Sequence, residues 1–297
     1  METIFIINPM AGQGKNENLI KSVNSIGAKS YITKAVGDTE NYVREYCKNN
    51  SPARFIACGG DGTLNEVLNG SFGNEKVEIG VIPMGTGNDF CRNFKGDFAS
   101  IESQINGTSV KCDAIRYTTD GVSRYCANML NIGFDCNVAD MTSTMKKKPF
   151  ISGSLAYFVS ILAILIKKKG ADLKIEIDGK VVHDGPLLLT SVANGKCCGG
   201  GILSNPYAEV SNGKININII RNISRLKFLT LLPHYIKGTH LGLKNIGSII
   251  KTENCKRVVL TPNTNDFNLC CDGEIATSKQ TVFEIMPNAF NFIIPNK

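Results

Sequence analysis

No Cys-x-x-Cys pair occurs in these 297 residues, and no group of cysteines and histidines has the spacing of a zinc site. The 11 cysteines therefore give no metal framework that spacing alone reveals. Only the adjacent pairs Cys197-Cys198 and Cys270-Cys271 leave a metal or redox role open. No secretory signal is visible at Met1-Glu2-Thr3, so the thiols are expected to be reduced, in a cytosolic protein, and mostly buried as small apolar residues. Histidine is scarce. His183 precedes Asp184-Gly185 and reads as a turn residue, while His234 and His240 lie among Lys237 and Lys244 and read as a basic surface face. Repeats, low-complexity tracts and nucleic-acid-binding signatures are absent. Apolar runs long enough to cross a bilayer are also lacking. Phe150–Ile166, between Lys146-Lys147-Lys148 and Lys167-Lys168-Lys169, is at the short limit and is diluted by Ser152, Gly153, Ser154 and Ser160. A buried or surface-lying helix is expected there, its lysines solvated or resting against anionic headgroups.

What is present is ordinary in bulk and pointed in detail. A hydrophobic content of 42% and a charged content of 20% are those of a globular protein of one large or two ordinary domains. The excess of 33 basic over 26 acidic residues is mild and suits anionic partners such as nucleotides or an acidic membrane surface.

The first third alternates strand, loop and helix. Strands are expected at Thr3–Ile7, Lys29–Thr33, Arg54–Cys58 and Val77–Ile82, with helices between them, one of them capped by Asp38. Units of this size build a parallel sheet with helices on both faces, and ligands bind such sheets at the carboxyl ends of the strands. After about residue 110, short β-rich runs separated by turns such as Asp178-Gly179 and Asp272-Gly273 predict an antiparallel sandwich or barrel. Helical insertions are expected near Leu155–Lys168 and Arg225–Lys251. The fold class is thus α/β plus β, an N-terminal three-layer domain over residues 1–118 and an antiparallel β-sandwich-like domain over 119–297, with the last residues free to return to the first.

Three loops leave strands at the ligand edge. In Gly59-Gly60-Asp61-Gly62-Thr63-Leu64-Asn65-Glu66 the glycines let the backbone turn and keep Cβ atoms away from a ligand. A helix starting at once behind them gathers free amides and the positive dipole end at one point, which suits phosphate. Asp61 inside that loop implies a divalent cation or a water between carboxylate and phosphate. Pro83-Met84-Gly85-Thr86-Gly87-Asn88-Asp89-Phe90 is a second glycine loop, with Asn88 or Asp89 as its helix cap. Asn8-Pro9-Met10-Ala11-Gly12-Gln13-Gly14-Lys15 is not a P-loop, because Pro9 replaces the first glycine and Asn16 the magnesium-binding Ser or Thr. Two phosphate-type loops on adjacent strands imply a nucleotide held by backbone amides.

The loops at 59–66 and 85–90 resemble those of the catalytic domain of diacylglycerol kinases and bacterial lipid kinases, relatives of sphingosine kinases and NAD kinases. Asn8-Pro9-x-x-Gly12, Asn131-x-Gly133-Phe134-Asp135, Ala156-Tyr157, Gly199-Gly200-Gly201 with Pro206 and Ala208, and Asp272-Gly273-Glu274 extend the likeness over nearly the whole chain. The resemblance implies transfer of the γ-phosphoryl group of ATP to a lipid hydroxyl, most plausibly that of diacylglycerol, with Mg2+ at the phosphates. ATP would lie along Asn8, Pro9, Met10, Ala11, Gly12, Thr33, Gly59 to Glu66 and Gly85 to Asn88. Asp61, Asp89 and Asp113 match acidic positions that support magnesium in the family. Asp272 is implied as the base, with Glu274 assisting. The family's structural metal turn reads here Glu209, Asn212 and Lys214, where Asn212 brings no charge and weaker cation binding is expected. A cytoplasmic protein is implied, touching the inner membrane face transiently through Lys146–Lys169 and Arg225–Lys251. A bare sheet edge in the second domain leaves a homodimer open. Rival readings are a kinase of a soluble acceptor such as NAD and a regulator that binds nucleotide without catalysis.

Overall fold

A computed structural model of the chain describes residues 1–11, 16–49, 52–133, 170–264, 266–272 and 274–296. Gly12, Phe134, Asp135, the Lys146–Lys169 segment with Ala156-Tyr157, and Gly273 lie outside the described residues.

The first half runs β1 (Glu2–Ile7), α1 (Asn16–Ser25), β2 (Lys29–Ile32), α2 (Asp38–Asn49), β3 (Ala53–Gly59), α3 (Asp61–Ser71) and β4 (Val77–Pro83). Pairing in the order β2-β1-β3-β4 is parallel throughout. The inner strands β1, β3 and β4 are largely apolar and buried because helices cover both faces. Alternation along each strand assigns the two sides: Ile4, Ile6, Phe55 and Ala57 enter one core, and Phe5, Ile7, Ile56 and Cys58 enter the other. A short 3-10 turn (Phe90–Asn93) and α4 (Ile101–Ile105) follow, and then β5 (Thr108–Thr119).

The second half is antiparallel. β6 (Val122–Cys126) hairpins onto β5. β7 (Met129–Gly133), β8 (Ala171–Ile177), β9 (Lys180–Ala193), β12 (Arg257–Pro262), β13 (Phe267–Cys271) and β14 (Glu274–Ser278) form the ladder β14-β13-β7-β9-β8-β12. β10 (Ile215–Arg221) and β11 (Ile250–Cys255) extend it beyond β9. The inward residues Leu130, Leu173, Ile217, Val258 and Phe283 form its core. Helix α5 (Arg225–Ile236), capped by Ser224 Oγ, packs Phe228, Leu231 and Tyr235 over Leu189, Ile220 and Ile250.

β15 (Thr281–Ile294) joins the halves. Its first residues pair with β12, and Asn291 and Phe292 pair parallel to Glu78 and Ile79 of β4. β5 runs antiparallel along nearly its whole length, with a register shift between Met286 and Phe290.

Two expectations are corrected. The helical insertion consists of α5 to Ile236 and two 3-10 turns, His240–Gly242 and Ile246–Ser248, and its last residues Ile250 and Lys251 belong to β11, because they pair with Ile220 and Ile219. His240 is not on a basic surface face. It is fully buried beside Tyr235, and burial lowers its pKa, so it sits in the core as a neutral ring.

Phe292 is fully buried, with Phe90, Phe94 and Phe98 around it at ring separations of 4.8, 5.0 and 6.1 Å. Phe292→Ala is expected to cost about 3–5 kcal/mol of stability in chemical denaturation. A loss below about 1 kcal/mol would show that this junction does not depend on the ring.

Candidate active site

The junction of β3 and α3 is unusually close. A Cβ on Gly59 would stand 2.2 Å from Thr63 Oγ1, so only glycine lets the helix fold straight back from the strand. Gly60 caps α3 with its carbonyl, which accepts from Thr63 N and Leu64 N, and no side chain serves as cap. The first amides of α3 therefore point out of the sheet edge without an intrahelical acceptor. The second loop lies directly against this one. Met84 N and Gly85 N donate to Gly59 O at 2.9 and 3.2 Å. A Cβ on Gly85 would come within 2.6 Å of Gly60 Cα.

Asn88, at φ 53°, accepts from Gly85 N at 3.1 Å and donates to Gly85 O at 2.7 Å. It ties off its own loop and is not a helix cap. Asp89 makes no side-chain cap either, and only the four-residue 3-10 turn follows. The second loop thus offers amides with little help from a helix dipole. Among the described residues, no protein acceptor takes the N–H of Thr86 or Gly87. The first loop borders the same point. Asn8 N donates to Cys58 O at 3.0 Å, Asn8 Oδ1 accepts from Met10 N at 2.9 Å, and Asn8 Nδ2 donates to Thr63 Oγ1 at 3.4 Å. Ala11 N closes that turn on Asn8 O, while Pro9 and the exposed Met10 form its tip. The buried Thr33 follows β2 and donates from its N–H to Ile7 O.

Two residues of the glycine motif face elsewhere. Leu64 is buried in the core. Glu66 accepts from Gly37 N at 3.0 Å and Thr39 N at 3.1 Å, so it caps α2 from a neighbouring helix. Asp38, expected to be that cap, instead accepts from Tyr31 Oη at 2.9 Å and Lys34 N at 2.8 Å.

Three carboxylates converge beneath the loops. Asp61 Oδ1 accepts from Asp89 N at 2.8 Å and Phe90 N at 3.3 Å. Asp89 accepts from Gly200 N with both oxygens, at 3.1 and 3.0 Å, and lies 3.6 Å from Arg92 Nε. Asp272, in the left-handed region at φ 45°, follows β13. Its Oδ1 accepts from Met129 N at 3.2 Å, and its Oδ2 from Asn65 Nδ2 at 3.2 Å and Cys126 Sγ at 3.3 Å. Burial, with the charges of Asp272 and Asp89, pushes Asp61 up to about 7. Burial raises Asp272 to about 6 against the bonds from Met129, Cys126 and Asn65. Asp89 is also raised by burial, offset by the amides of Gly200 and Gly201 and by Arg92. A Cβ on Gly87 would fall 2.7 Å from Asp61 Oδ2 and 3.2 Å from Asp89 Oδ2, so both acids present an oxygen to one small space. Hard oxygen donors around a space that only a glycine leaves open fit a divalent cation such as magnesium.

Asp113 lies in a different setting. Its oxygens accept from Gly213 N at 2.6 Å and Asn288 N at 2.8 Å, while Asn212 Oδ1 accepts from Lys214 N at 2.9 Å. Asp113 is thereby tied to the turn at Glu209–Lys214 and not to the glycine loops. Glu274 opens β14 opposite Cys271.

Sequence reasoning did not single out Arg92 or Cys126. Arg92 stands under the glycine triplet, where a Cβ on Gly201 would lie 3.2 Å from its Nη1, and its i+3 spacing from Asp89 was the available signal. Cys126 carries no such signal, being 146 residues from Asp272.

The profile described as the diacylglycerol kinase catalytic domain matches residues 2–117, and that of the YegS C-terminal NAD kinase beta sandwich-like domain matches residues 128–294. The chain belongs to the diacylglycerol kinase and bacterial lipid kinase family. Among this family's curated members, a "Diacylglycerol kinase" of Mycobacterium tuberculosis is 29% identical over 246 residues, 81% of this chain and 76% of that protein. A "Probable lipid kinase YegS-like" of Yersinia enterocolitica is 27% identical across 99% of this chain and 97% of its own. The crystal structure of a diacylglycerol kinase from Bacillus anthracis shares the fold, with a TM-score of 0.69 at 20% identity over 99% of this chain and 96% of that one.

The raised carboxylates of this lipid kinase fold make its stability pH-dependent. Asp61 ionises near pH 7 when folded against an ordinary value of 3.8, so the folded state holds its proton more tightly. Stability of the metal-free protein is therefore expected to fall as pH rises between about 4 and 7. Asp61→Asn removes this contribution, so its melting temperature in chelator should drop less than that of the parent between pH 5 and 8. Parallel melting curves would show that Asp61 titrates in its usual range.

Proposed function

We propose that this chain transfers the γ-phosphoryl group of ATP to the hydroxyl of a membrane lipid, diacylglycerol in particular, giving phosphatidic acid for phospholipid synthesis. The observation that carries the proposal is the backbone-to-backbone contact of two glycine loops above the buried Asp89 and the half-buried Asp61 and Asp272. Family membership supports the reaction class. The nucleotide is assigned to the edge formed by the Asn8 turn, Thr33, the first turn of α3 and the loop from Gly85 to Asn88. Amides there bind oxyanions without bringing charge of their own.

Asp61 and Asp89 are assigned to hold Mg2+, with Asp113 confined to the Gly213 turn. When bound, that ion neutralises the phosphate oxygens on which phosphoryl transfer depends. Asp272 is assigned as the general base. At neutral pH it is mostly ionised, and Met129 N and Asn65 Nδ2 fix its direction. It takes the proton of the acceptor hydroxyl as that oxygen bonds to the γ-phosphorus, and the bond to the β-phosphate bridging oxygen breaks to release ADP. Glu274, two residues on, is assigned to assist.

The acceptor lies in a bilayer, and no helix among the described residues is long and apolar enough to cross one. Helix α5 nevertheless exposes Leu226, Leu229 and Ile236 at 78%, 44% and 40% along one face. Lys227 and Lys237 flank that face, and a surface of this kind suits peripheral docking on anionic lipid. The Lys146–Lys169 segment, assigned the same role, lies outside the described residues.

A radiolabelled ATP assay against diacylglycerol, a sphingoid base, phosphatidylglycerol and NAD tests the assignment, and labelled NAD alone would overturn it. Asp272→Asn is expected to lower turnover by about 100- to 10,000-fold while ATP affinity holds within a few fold. Full activity in that variant removes Asp272 from the role of base. In flotation with phosphatidylglycerol vesicles, Leu226→Glu combined with Leu229→Glu should weaken binding by at least about tenfold. Unchanged flotation of the double variant would rule out docking through α5.

A further inference from the structure

The thiols of Cys126 and Cys271 meet the carboxylate of Asp272 at the ends of β6 and β13. Their ligand atoms, two sulfurs and one carboxylate oxygen, all lie within 4.8 Å of one another. Cys126 Sγ is 3.3 Å from Asp272 Oδ2. Both cysteines are buried, and Asp272 is half-buried. It is the single cluster of three such groups among the described residues. Metal–sulfur bonds of about 2.3 Å and metal–oxygen bonds of about 2.1 Å at tetrahedral angles place ligand atoms roughly 3.6–3.8 Å apart. Cys126 Sγ and Asp272 Oδ2, 3.3 Å apart, stand close to that spacing, and the 4.8 Å bound keeps the second sulfur within reach of the same ion.

We propose that Cys126, Cys271 and Asp272 form a binding site for a thiophilic divalent cation of the zinc class, and that its occupancy stops phosphoryl transfer. The binding stands on the cluster alone, whereas the inhibition rests on the reading of Asp272 as the base. A cation held there takes the carboxylate oxygen that would otherwise receive the proton of the acceptor hydroxyl. Two thiols and one carboxylate give a complex of net charge −1 and release two protons to solvent. No oxidant is needed. Thiolate ligands discriminate against magnesium, which favours oxygen donors, so the two ions do not compete for this position. A thiol must lose its proton to become a metal ligand, so binding tightens as pH rises.

Cobalt(II) serves as the probe, because thiolate-to-cobalt charge transfer absorbs in the near ultraviolet and a tetrahedral site adds visible bands. The full-length protein at pH 8 is expected to show both, and zinc should bleach them where excess magnesium does not. Cys126→Ser and Cys271→Ser should each lose at least about tenfold in affinity and part of the thiolate band, with Cys47→Ser unchanged. Because two protons leave, the logarithm of affinity of the parent protein should climb by up to two per pH unit. That slope needs no variant to fold. No thiolate band at pH 8, or a flat pH dependence, overturns the site and leaves an S–H···O bond as its content. In the kinase assay, the ratio of activity with and without zinc should collapse for the parent and stay near one for either serine variant. A cobalt spectrum in a protein without kinase activity would keep the site and refute the proposed reaction. Kinase activity unaffected by zinc at cobalt-saturable concentrations would refute the inhibition.

Discussion

The structure depends on the contact between Gly60 and Gly85, where two backbones meet with no room for a Cβ on Gly85. That approach brings the turn behind β3 and the turn behind β4 to one point. It also forces Asp61 and Asp89, each fixed to its own turn, into the same small volume. Carboxylates avoid such company in water. Here amides from Asp89, Phe90 and Gly200 offset the loss of water only in part, and burial, joined at Asp61 by the charges of Asp272 and Asp89, appears as raised proton affinity.

The third acid arrives from the other half of the chain. Asp272 depends on a positive φ, on the amide of Met129 and on the carboxamide of Asn65, so its aim is set by elements from both halves. Asn65 lies inside the glycine motif but turns away from the loop edge towards Asp272. It is the physical link between the glycine motif and Asp272. The glycine triplet plays a matching part, because the Gly200 amide holds Asp89 from across the cleft. Neither contact is a matter of local sequence.

The distinction between local and distant partners explains what was legible beforehand. Strands β1, β3 and β4 and the start of α3 at Asp61 were readable because continuous apolar runs and glycines act over a few residues. The antiparallel half was readable in outline from its turn dipeptides. The cap of α2 was not, because Glu66 reaches it across 29 positions and out-competes the local Asp38. Asn88 has the composition of a cap, and the left-handed backbone that makes it a loop tie has no sequence signal beyond the residue type. His240 reads as basic among lysines, yet the chain folds it beneath Tyr235. β11 was hidden because Ile250–Cys255 alternates weakly and is a strand only by virtue of β10. Cys126 next to Asp272 was out of reach for any reading by spacing.

β15 pairs with strands of both halves within one continuous sheet, and the order of synthesis makes it the last to arrive. Of all the strands it is the last to leave the ribosome, yet β4 and β5, among the early ones, hydrogen-bond to it. The first half therefore emerges during translation with an open flank and stays unsealed until the opposite half has been made. Assembly is closed by a late zipper, not by two beads folding in turn. The nascent chain must carry an exposed strand edge through most of its synthesis, the stage at which such edges are most open to mispairing.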